Sequence, residues 1–238
     1  MRFLITLLFM FSIIKVQSQE LDKLYYMLGY NDDLSTPLQY NRDLKSSKMA
    51  FQMHESHMGE IYRFSEVTGF KFKKGKVEKD CLNCHQLYHF INIPNFYNLG
   101  NFYDFKYSRN KETYYAIGEV EVERQYGFFK PVVLENATQL QMKSFLAGAY
   151  LYEGSIKGDT VKFVFYRALN QKLIVIKDFI NTVENPKYLS VIHRQDEGDT
   201  CCGPTLLLVP NKELWDLFRN EEERKNALIS GNGFSKLK

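Results

Sequence analysis

A short apolar run from Phe3 to Ile14, preceded by Arg2 and followed by Lys15-Val16-Gln17-Ser18-Gln19, constrains this chain more than any other stretch. A positive residue, a brief apolar segment and a small residue at a cut site form a secretory signal, with cleavage expected before Gln19. The run falls short of the ~20 apolar residues a spanning helix needs, and no later stretch reaches that length. Residues 1–18 are therefore expected to be removed. Residues 19–238 are expected to fold as one exported domain, secreted or periplasmic, with no membrane span after cleavage. No cysteine precedes Cys81, which excludes acylation at the cut site.

Export sets the charge and the redox state. Removing residues 1–18 takes away Arg2 and Lys15 and no acid, lowering the formal charge from +3 to +1. A chain so close to neutral exerts little pull on nucleic acid or anionic lipid. Hydrophobic residues make up 45% of the chain, enough for a core and too much for wholesale disorder. The aromatic content is 15%, carried by 19 Phe and 16 Tyr with a single Trp, and favours a pleated sheet on which flat rings pack.

The hydrophobic pattern mixes strands and helices without a regular βαβ alternation, which predicts an α+β fold: a predominantly antiparallel sheet with flanking helices. Helices are expected at 20–30, 43–58, 137–149 and 212–226. A hairpin is expected from Ile61 to Lys74 around Thr68-Gly69, followed by a basic surface segment to Lys79. Strands are expected over Tyr114–Arg124, Phe128–Leu134, Tyr150–Glu153, Val161–Arg167, Lys172–Lys177, Tyr188–His193 and Thr205–Val209. No Pro/Gly/Ser-rich linker divides the chain, although the pattern sharpens near residue 110, where a subdivision would fall. The end of the chain, from Gly231, is expected to fray.

The sharpest motif is Cys81-Leu82-Asn83-Cys84-His85. Two thiols one helical turn apart can add to the vinyl groups of a haem, and the next histidine can then ligate its iron. On that reading the chain is a c-type haem electron carrier held through Cys81, Cys84 and His85. Small c-type cytochromes resemble the chain over these five residues alone. They are mostly helical and supply a second axial ligand, whereas no Met lies between Met58 and Met142 here, and His89 falls on the same side as His85.

The reading preferred here is disulfide bonding among Cys81, Cys84, Cys201 and Cys202, with no cofactor. A bond across more than one hundred residues would stabilise the chain by about 4–5 kcal/mol in the chain-entropy model. Adjacent Cys201 and Cys202 are poor partners for each other and suit two separate partners. Zinc held by Cys81, Cys84, His85 or His89 with Cys201 or His193 is a third arrangement, opposed by oxidation outside the cell.

Four weaker features complete the inventory. Met49, Met53, His54, His57 and Met58 would line a helix and suit Cu(I), although Met at helical spacing is ordinarily core. Phe96, Tyr97, Phe102 and Tyr103 stand among Asn95, Asn98, Asn101 and Asp104, a composition suited to a sugar or peptide surface when exposed and to core packing when not. Cys201 or Cys202 with His193 would make a cysteine nucleophile. Asn136-Ala137-Thr138 is a glycosylation acceptor in a eukaryotic secretory path. No nucleophile elbow, P-loop or dinucleotide glycine pattern occurs. The expectation is thus an exported, non-enzymatic binding or structural protein, with a glycan or protein as ligand.

Overall fold

The computed structural model describes residues 20–30, 35–37, 53–54, 58–74, 87–91, 101–107, 112–114, 120–122, 124–165, 171–192 and 204–230. These residues form an α+β fold in which every strand pairing is antiparallel. In chain order the elements are α1 (Lys23–Tyr30), β1 (Ser35–Pro37), β2 (Met53–His54), α2 (Met58–Thr68), β3 (Lys71–Lys74), β4 (Leu87–Ile91), β5 (Tyr103–Tyr107), β6 (Glu112–Tyr114), β7 (Val120–Val122) and β8 (Arg124–Phe129). They continue with α3 (Pro131–Glu135), α4 (Gln139–Glu153), β9 (Gly154–Lys157), β10 (Thr160–Val164), α5 (Gln171–Val183), β11 (Tyr188–Ile192), β12 (Thr205–Val209) and α6 (Lys212–Ser230).

Helix α4 is the centre of the described core, and local chemistry sets where it starts. Thr138 accepts a hydrogen bond from the Gln141 backbone N–H, while the Gln141 side chain accepts one from the Thr138 N–H. This reciprocal cap satisfies two donors that an open helix end would leave bare. Ser144 to Leu151 is then buried without a break. A helix apolar on all sides must be packed on all sides. Helix α1 lies along it, and Phe145 meets Phe179 of α5 edge-on at 5.3 Å. Tyr150 sits 5.2 Å from Phe218 of α6 and 6.2 Å from Phe163 of β10.

The largest described sheet has the order β11-β12-β10-β9. Its register aligns Val161 with Leu208 and Leu208 with Leu189, and Phe163 with Leu206. Val161, Phe163, Leu206 and Leu208 are fully buried. Two-residue periodicity puts them on one face, the side of α4 and α6, with Lys162, Leu207 and Ser190 on the other. The turn between β9 and β10 is Gly158-Asp159, with Gly158 at φ +63°, where a side chain would be strained. The smaller sheets run β1-β8-β5, β2-β4-β3 and β6-β7. One buried cluster extends from Tyr25 through Phe70 and Tyr103 to Phe218, so residues on both sides of position 110 share it.

Several local expectations are corrected. Ile61–Thr68 is helix, not the first arm of a hairpin: Ile61, Phe64, Ser65 and Thr68 are buried at helical spacing. Gly69, at φ +75°, closes that helix by donating its N–H to the Ser65 carbonyl, so the glycine is a helix terminator. Phe128–Leu134 is a strand only to Phe129, after which Pro131 opens α3. Tyr150–Glu153 is the last turn of α4, and Lys172–Lys177 lies in α5. Leu140, in the first turn of α4, is 44% exposed. Met53 and His54 form a strand, which removes the single helix that would have lined up the methionines and histidines at 49–58. Met49 and His57 lie outside the described residues.

Candidate functional site

Two groups of charged side chains are buried in the described fold, and both join helices. The first lies between α1, α2 and α6. Leu214, Leu217 and Phe218 are buried on α6, and Glu221 continues their stripe by one turn. It is 2% exposed, so its carboxylate must be satisfied from within. Arg63 of α2 supplies the main partner, donating from Nε to Glu221 Oε2 at 2.9 Å and from Nη2 to Oε1 at 2.5 Å. Tyr26 of α1 donates its hydroxyl to Oε2 at 2.9 Å. The fork geometry of the guanidinium matches both oxygens at once.

The network continues outward. Arg63 Nη1 donates to Glu66 Oε2 at 2.8 Å, and Arg224 of α6 donates to the same carboxylate, from Nε at 2.9 Å and also from Nη2. Burial pulls the Glu66 carboxyl upward, but hydrogen bonds from Arg224 and Arg63 outweigh it and hold the group below its ordinary value. Burial likewise works against the Arg63 cation and is outweighed by Glu221, which raises it further. The Tyr26 phenol is pushed well up by burial, then by the Glu221 charge. Next to Glu221 on α6, Glu222 accepts from the Tyr150 hydroxyl at 3.0 Å and pairs with Lys225 at 2.8 Å.

The second group joins α4 to α5. Lys172 Nζ lies 3.3 Å from Glu153 Oε2, and both side chains are 1% exposed. The ammonium also sits 5.4 Å from the centre of the Tyr152 ring, whose edge meets Tyr30. The two charges neutralise each other in a medium that would not tolerate either alone.

Chemically, both arrangements set carboxylates against cations across helix interfaces. No metal-binding group of three or more His, Cys, Asp or Glu occurs among the described residues.

The residues singled out by sequence are mostly elsewhere. Cys81, Cys84, His85, Cys201, Cys202, His193, Phe96 and Tyr97 lie outside the described residues. Phe102 is half-buried and packs on the core. Tyr103 is 4% exposed, with its ring 4.6 Å from that of Phe129 in α+β packing rather than on a surface. Its pairing partner in β8 is Phe129 itself, which turns both rings inward. Asn136 is exposed in the turn between α3 and α4.

No protein-family model matches the chain, and neither a curated protein nor a solved structure is similar to it. The fold therefore has to be read from its own residues. Sequence reasoning missed Tyr26, Arg63, Glu153, Lys172 and Glu221. For Glu221 a signal was present: an acid sits where the stripe Leu214–Leu217–Phe218 calls for an apolar residue. Lys172 shows the same signal, because it heads the stripe Val175–Ile176–Phe179 of α5.

Proposed function

We propose that the chain is an exported, non-enzymatic binding or structural protein of the envelope or extracellular space, braced by disulfides among Cys81, Cys84, Cys201 and Cys202. The observation that carries this reading is the Arg63–Glu221–Tyr26 junction. There a buried acid, a buried cation and a phenol are all engaged with one another in joining three helices. The buried Glu153–Lys172 pair is used in the same way. Contact with a glycan or peptide is assigned to Phe96 and Tyr97, since Tyr103 is turned to the core.

The deciding experiment is intact mass and visible absorption of the chain recovered from an exporting host that carries haem-attachment machinery. The expected product begins at Gln19, is colourless, and is lighter than the reduced chain by one pair of hydrogens per disulfide. A Soret band with a covalently retained haem mass overturns it in favour of the electron carrier through Cys81, Cys84 and His85. Free thiols that alkylate in the native protein would instead favour a cysteine-dependent activity at Cys201 or Cys202.

A further inference from the structure

The two edges of the β11-β12-β10-β9 sheet differ in chemistry. Strand β9 begins with Gly154 and carries Ser155 and Lys157 exposed. Charge and glycine on an edge discourage further pairing. Strand β11 reads Tyr188-Leu189-Ser190-Val191-Ile192, with no charge, proline or glycine, and pairs with β12 in unbroken register. Among the described residues it is the opposite edge. Tyr188 is 53% exposed and Ile192 45% exposed, both on the sheet face turned away from α4, while Leu189 and Val191 lie half-buried on the other.

We propose that β11 is a pairing edge for a second copy of this chain, joined antiparallel about a two-fold axis at Ser190. The argument for this occupant is the self-complementarity of the strand. A two-fold contact sets the same patch against itself, so each position must suit its mirror position. An axis at Ser190 places Tyr188 opposite Ile192 of the second copy, twice, and Leu189 opposite Val191, twice. An aromatic ring facing a β-branched side chain is a favourable cross-strand pair, and the inner positions extend the apolar face of the sheet. At the axis a small neutral serine meets itself, with no like charges to repel. Exposed Lys187 precedes the strand and limits the apolar pairing to five residues. The contact is correspondingly small, at the weak end of specific interfaces, and the dimer is expected to depend on concentration.

The test is sedimentation of the full chain from an exporting host over a concentration series, with single and paired charge variants. The unmodified chain is expected to pass from monomer to dimer, and amide exchange at 188–192 is expected to slow as the dimer fills. Tyr188→Glu or Ile192→Lys alone puts a charge opposite an apolar residue and should abolish the dimer. The double variant places each Glu opposite a Lys and should restore it in a salt-sensitive form. A chain that stays monomeric up to its solubility limit overturns the proposal. So does a dimer indifferent to either single change, or a double variant that remains monomeric. Because both side chains are half-exposed, the far-ultraviolet dichroism of the variants should match the unmodified chain. Should a variant misfold, the exchange series on the unmodified chain decides: protection at 188–192 that does not change with concentration also overturns the proposal.

Discussion

Gly29 of α1 and Gly148 of α4 each take up the space where the other helix's backbone passes. A Cβ built on Gly29 would lie 1.9 Å from the Phe145 carbonyl oxygen, and one on Gly148 would lie 2.0 Å from the Tyr26 carbonyl oxygen. The relationship is reciprocal: each glycine follows by three residues the residue that its counterpart touches. Two helices can approach this closely only where neither carries a side chain at the crossing. The approach in turn brings the Tyr26 hydroxyl down to Glu221.

Gly148→Ala is expected to destabilise the chain by about 2–3 kcal/mol. The helix-propensity gain of about 1 kcal/mol is outweighed by overpacking against a backbone that cannot yield locally. Urea unfolding checks this, and an unchanged midpoint would refute the close crossing.

Arg63→Met leaves the Glu221 carboxylate buried without its cation, and should cost about 3–5 kcal/mol. Tyr26→Phe removes one donor while the arginine stays, and should cost about 1–2 kcal/mol. The ordering of the two unfolding midpoints is the readout.

Acid should first loosen the contacts that hold α6 to α2 through Glu66 and to α4 through Glu222. Glu66 and Glu222 both titrate below their ordinary value of 4.5 in the folded chain; for each, burial opposes the shift and cationic hydrogen bonds override it. Their contribution is fully present above 4.5. It is lost as the pH drops from there through the lowered folded values, because the unfolded chain takes up protons first. Glu66→Gln combined with Glu222→Gln should flatten the stability profile below pH 4.5 relative to the unmodified chain, as followed by thermal melts.

Lys172→Met strands Glu153 between α4 and α5 and should destabilise by about 3–5 kcal/mol, whereas Lys172→Met with Glu153→Leu should recover most of that loss. A double-mutant cycle measures the coupling directly. A coupling near zero would mean the two charges do not act as a pair.

Tyr103→Ala should lower stability by about 3–5 kcal/mol through the cavity left beside Phe129. Stability unchanged by this substitution, measured in urea, would return Tyr103 to the surface.

The α+β class, the antiparallel pairing and the position of α4 were legible in the residues themselves. Thr138 and Gln141 carry the start of α4 in their own side chains, Gly158-Asp159 carries the β9–β10 turn, and the short apolar run Thr205–Val209, set off by Pro204 and Pro210, carries β12. These are local devices whose partners lie within a few residues, so spacing alone reveals them. Only the tertiary structure decided the rest. The run Leu173-Ile174-Val175-Ile176 favours a strand by composition, and becomes helical because one stripe of it packs on α4 through Phe179. Gly69 reads equally well as a hairpin turn or a helix terminator until Ser65 is seen to accept its N–H. Glu221, Arg63 and Tyr26 stand far apart along the chain, and their mutual neutralisation exists only once three helices meet. Long-range burial chooses among conformations that local sequence leaves close in free energy, and that choice created the charged junctions of this protein.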